Sequence, residues 1–184
     1  MPSLTLSWDL IIVVFFAVIM SYVFMVGSTQ AVRLIVATYI AVIATEGLAI
    51  VLGRLIGSPA EMLSSIGMPA DPSVVSLGKV FCILLGMLVV LVRSGLEVSW
   101  TKGNGSIMRI IATTLLGFSA AGLIASAILA AIAGSGILGS IVPESGQILP
   151  SSTSLTELLI GNRAVWYALP AFVLIVLGLA EGQE

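Results

Sequence analysis

Long apolar runs nearly empty of charge constrain this chain more than any other feature of its sequence. Residues 10 to 27 carry no charged side chain, and an uncharged stretch runs from Ile110 to Pro143. A helix needs roughly 20 predominantly apolar residues to cross the hydrocarbon of a bilayer. Residues 10 to 27, 31 to 56, 74 to 95 and 107 to 134 meet that requirement, with "GSGILGS" breaking the last of them near Gly134. A fifth apolar run, 164 to 180, is shorter and contains Pro170. An interfacial or re-entrant helix would read the same way there. The pattern predicts an all-α, polytopic integral membrane protein of four to five transmembrane helices in an antiparallel bundle, with residues 1 to 184 forming a single membrane domain.

Composition agrees. The chain is 59% hydrophobic and 9% charged, against about 25% charged in ordinary soluble domains. Its net charge of −2 excludes a basic surface able to hold a nucleic-acid backbone. The absence of histidine removes the usual general base and the commonest metal ligand. No cofactor is expected. The single cysteine, Cys82, lies in "VFCILLGMLVVLV" and permits no intrachain disulfide. "MPSLTLSWD" precedes the first run without Lys or Arg, so that run reads as a retained span and not as a signal peptide.

Between the spans, "GSTQ" (residues 27 to 30) makes a short turn, and residues 57 to 73, with three prolines, read as a loop. "SGLEVSWTKGNGS" is a polar connection, and residues 135 to 162, rich in Gly, Ser, Thr and Pro, form the longest loop. Arg33, Arg93, Lys102 and Arg109 fall on one side of the alternation, and Arg54, Lys79 and Arg163 on the other, among more acids. Basic residues near span ends mark the cytoplasmic face. The expected topology is a multi-pass protein of a bacterial inner membrane, with the 96 to 107 loop cytoplasmic and the N-terminus outside.

Glu46 is the one acid well inside a span. An ionised carboxylate near the bilayer centre costs about 2.5–3.5 kcal/mol on insertion scales, so it must pair, neutralise or face water. At about 1.5 Å per residue, Glu46 lies roughly 12 Å inward of Arg54, and Lys79 roughly 8 Å inward of the start of the third span on the same side. A Glu46–Lys79 ion pair across the second and third helices is the expectation. The alternative makes Glu46 a proton or cation relay, with Thr38, Tyr39, Thr45, Thr113 and Thr114 as further polar stations.

Two stripes of small residues recur every four positions: Gly122, Ser126, Ala130 and Gly134 on the fourth span, and Gly78, Cys82 and Gly86 on the third. Small side chains at this spacing let helix backbones approach closely in lipid. Both stripes are expected to be helix contacts, within the chain or between copies. "GSGILG" has no preceding strand and reads as a helix end, not as a phosphate loop. Serine nucleophiles would need a lysine base, and neither lysine is convincingly placed for one. Glu97, Lys102, Asn104 and Arg109 could form a polar cluster for lipid modification, but read more simply as an orientation signal.

The order of features resembles the colicin V production (CvpA-like) family of bacterial inner-membrane proteins. "WDLIIVVFFAVIMSYVFMVGSTQAVRLIVATYIAVIA" looks like that family's opening pair of helices with a short turn and a following basic residue. "LGKVFCILLGMLVVLV" is similar to its third span, and "KGNGSIMRIIATTLLGFSAAGLIASAILAAI" resembles its Gly-containing linker and Gly-rich fourth span. The likeness covers roughly residues 8 to 133. It implies a small non-enzymatic membrane protein connected with colicin export and envelope maintenance, partnered by membrane lipid, other membrane proteins or itself. The competing expectation is a small channel or ion-coupled transport subunit using Glu46.

Overall fold

A computed structural model describes residues 8 to 57, 64, 67, 72 to 93, 106 to 133 and 154 to 181. Its helices are α1 (Trp8–Val26), α2 (Ser28–Ile56), α3 (Pro72–Arg93), α4 (Ser106–Ile132), α5 (Ser154–Gly161) and α6 (Arg163–Glu181). No strand occurs among the described residues. In a bilayer only structures that satisfy their own backbone hydrogen bonds can span, and a helix does so within one segment. Four helices are long and apolar enough to cross: Asp9–Val26, Ser28–Leu55, Ser73–Arg93 and Ile110–Ile132. The protein is an all-helical multi-pass membrane protein. The apolar part of α6, Arg163–Leu179, falls short of the other four, and Pro170 inside it removes one helical hydrogen bond.

The turn between α1 and α2 is tighter than the sequence implies. Gly27 alone joins them, at φ 94°, a left-handed conformation that only glycine adopts without cost. Its N–H donates to the Val23 carbonyl at 2.8 Å, closing α1, and its own carbonyl accepts from Ala31 N at 3.2 Å, opening α2. Ser28, Thr29 and Gln30, expected in the turn, are therefore helical. Gly57, at φ 95°, ends α2 in the same conformation.

A second difference lies in the stretch expected to be one long loop, 135 to 162. Its last part, "SLTELLIG", is the two-turn helix α5. Leu155, Leu158 and Leu159 repeat at helical spacing, and Leu159 is buried. Asn162 links α5 to α6, its carbonyl accepting from Val165 N at 2.9 Å and Trp166 N at 3.3 Å. Of residues 135 to 153 nothing is described.

The chain divides into two compact units, and two of the boundaries fall within helices, after Val36 and after Ser126. The first comprises α1, α2 through Val36, α4 through Ser126, and α5 with α6. The second comprises α2 from Ala37, α3, and the end of α4 from Ala127.

In the first unit, glycines on α4 make the close contacts. A Cβ on Gly117 would lie 2.9 Å from Met20 Sδ and 3.2 Å from Val23 Cγ1 of α1. A Cβ on Gly122 would land on the six-membered ring of Trp166 of α6. Phe16 meets Trp166 edge to face at 6.2 Å, a geometry that aromatic quadrupoles favour, and Phe118 lies tilted against both rings at 5.6–5.8 Å. α5 packs against α1, and the Asp9 carboxylate accepts from Leu155 N at 3.2 Å. That bond satisfies one of the amides left open at the start of α5. In the 18-residue apolar window of the span Ile110–Ile132, 78% of α4 is buried, against 11% for the corresponding windows of α1 and α3. A helix apolar all round is buried by protein or by lipid; α4 is enclosed mostly by protein, and α1 and α3 are not.

Candidate functional site

The ionisable groups singled out by the sequence, Glu46 and Lys79, both belong to the second unit and both are half-buried. Two contacts set the register of the helices that carry them. A Cβ on Gly86 of α3 would lie 3.2 Å from Ala41 Cβ of α2, and Thr38 Oγ1 donates to Met87 Sδ at 3.5 Å. Numbers rise on α2 as they fall on α3, so the two run antiparallel. Five residues onward from Ala41 is Glu46, and five back from Gly86 is Phe81; eight onward from Thr38 is also Glu46, and eight back from Met87 is Lys79. Glu46 therefore lies level with residues 79 to 81.

Angular position is less favourable. Lys79 stands seven residues, about two turns, before Gly86 and so shares its face. Glu46 stands five beyond Ala41, about 140° around α2, which puts it at the flank of the seam. Depth and neighbouring helices suit a pair; the flank position leaves a gap for the lysine stem to cover.

Three of the five expected relay stations, Thr38, Thr45 and Thr114, make hydrogen bonds within the protein. Thr45 Oγ1 donates to the Ala41 carbonyl at 2.8 Å and Thr114 Oγ1 to the Ile110 carbonyl at 2.8 Å. Ser119 and Ser126 donate to the carbonyls of Leu116 and Leu123, each at 3.0 Å. These are hydroxyls returned to their own helix backbone, the usual resolution of a buried hydroxyl in an apolar setting. Thr38, wholly buried, is spent on Met87, and Thr113 is buried on α4.

The small-residue stripes divide in the same way. On α4, Gly122 takes Trp166, and Ser126 and Ala130 are buried; Gly134 lies outside the described residues. On α3 only Gly86 meets another helix. Gly78 has no atom within 4 Å of an added Cβ and Cys82 is exposed, so of this stripe Gly86 alone shows the contact within the chain. The reason is geometric: four residues exceed one turn of 3.6, so the stripe drifts away from a seam that follows residues 79, 83, 86 and 87.

No family model, curated protein or solved structure matches this chain. The likeness to the colicin V production family therefore stands on the order of its sequence features. Among the described residues no group of three or more His, Cys, Asp or Glu side chains lies close enough to hold a metal ion. Glu97, Lys102 and Asn104 lie outside the described residues, and Arg109 is placed on α4. Sequence reasoning missed Asp9 as the cap of α5 and Trp166 as the partner of Gly122. Nothing local pairs residue 9 with 155 or residue 122 with 166.

Proposed function

We propose that this protein is a non-enzymatic scaffold or accessory subunit of a bacterial inner membrane. By its resemblance to the colicin V production family, its role is in colicin export or envelope maintenance, with lipid and other membrane proteins or further copies of itself as partners. The observation that carries the reading is the disposal of the hydroxyls. Thr45, Thr114, Ser119 and Ser126 each return their hydrogen bond to the helix that bears them. Each of these four hydroxyl protons is thereby held by the helix that carries it, which supports a packing role for them.

Reconstituted into liposomes, the protein should pass protons and monovalent cations no faster than protein-free liposomes do. In cells, a deletion should weaken the envelope or colicin release, and a Glu46→Gln copy should restore it as well as the wild type. Unchanged export and envelope integrity in the deletion would remove the reading.

The second reading, a channel or ion-coupled subunit, is favoured by Glu46, a half-buried acid within a span. It requires flux in the same liposomes that falls when Glu46 becomes Gln.

A further inference from the structure

Arg33 stands six residues past Gly27, about 9 Å along α2 from the turn, at the level where a span leaves the headgroups. Ala31, Val32, Leu34 and Ile35 around it are all buried, so the helix is enclosed there by protein on most sides. The arginine is half-buried, its Nε wholly enclosed and without a hydrogen-bond partner. A buried donor left unmade costs about 1–3 kcal/mol, more on a charged group.

Asp9, the one acid of the same unit whose side chain is described, does not answer it. Asp9 lies 18 residues from Gly27 along α1, about 27 Å away at the opposite end of that helix, and is engaged by the Leu155 amide. A guanidinium presents a planar fork of donors that matches a phosphate in two parallel bonds. Basic positions between spans near the membrane surface hold lipid headgroups for this reason.

We propose that Arg33 binds the phosphate of an anionic phospholipid, the lipid supplying a counter-charge that Asp9 does not. The shared chemistry is a phosphate monoanion, which a lipid headgroup or free phosphate could present. The setting within the first turns of a membrane-crossing helix favours the lipid.

The test compares thermal unfolding of the purified protein in detergent with added phosphatidylglycerol, phosphatidylcholine or inorganic phosphate. Phosphatidylglycerol should raise the midpoint, while phosphatidylcholine and millimolar phosphate should not. Arg33→Gln should weaken phosphatidylglycerol binding about tenfold or more, the scale of one lost charge-assisted bond. Arg54→Gln, which removes an exposed cation from the far end of α2, should leave it unchanged.

Equal shifts from both lipids would overturn the proposal, as would equal weakening in both variants. A phosphate shift matching that of phosphatidylglycerol would overturn the lipid assignment in favour of a free-anion site. Should Arg33→Gln fail to fold, Arg33→Lys keeps the charge and loses the fork. Binding by that variant equal to the wild type would overturn the guanidinium's role, and severalfold weaker binding would support it.

Discussion

Gly122 and Gly78 are the same residue on two membrane helices, and their surroundings reverse the effect of adding one methyl group. At Gly122 the new carbon meets the Trp166 ring, which Phe16 and Phe118 hold in place. Gly122→Ala should destabilise the protein by about 1–3 kcal/mol, the range for overpacking a filled core, measured by thermal or denaturant unfolding in detergent. Trp166→Leu in the same chain should recover part of that loss, since the two sites are in contact and should not add. At Gly78 nothing lies within 4 Å. There Gly78→Ala should stabilise α3 by about 0.5–1 kcal/mol through backbone entropy alone, and a loss instead would reveal a second copy packed on that face.

At the scale of elements, the ends of helices decide more than their middles. Each span follows from apolar length, so its existence was legible in the runs from 10 to 27, 74 to 95 and 107 to 134. The helix α5 was not, because eight residues carry too few periodic positions to stand out in a region rich in Gly, Ser and Pro. What supports it is tertiary: Leu159 is buried and Asp9 reaches from α1 to the Leu155 amide. Asp9→Ala should cost about 1 kcal/mol, as the loss of a helix cap does. Amide exchange should quicken in α5 while α4 stays protected; unchanged exchange in α5 would mean that the carboxylate contributes nothing there.

For the whole molecule, the test of Glu46 is whether it holds the fold or moves a charge. A double-mutant cycle with Glu46→Gln and Lys79→Met should show a coupling of about 0.5–3 kcal/mol if the two groups pair, with each single change costing more than the double. Additive losses would leave Glu46 without Lys79 as its counterpart. Proteoliposome flux is the independent arm, since a structural pair changes unfolding and leaves permeability at the background level.

Hydropathy and length by themselves determined that this chain is helical and membrane-spanning, and counting along the spans put Glu46 and Lys79 at matching depth. Both follow from one physical fact, that the bilayer is a solvent of fixed thickness which each span must cross alone. Tertiary structure decided which face of each helix is used. Gly122 became the seat of Trp166, while Gly78 and Cys82 turned outward. Thr45, Thr114 and Ser126 closed on their own backbones, and the Nε of Arg33 was enclosed without a hydrogen-bond partner. Spacing along one helix fixes an angle only relative to that helix, and the partner that meets it comes from residues more than forty positions away.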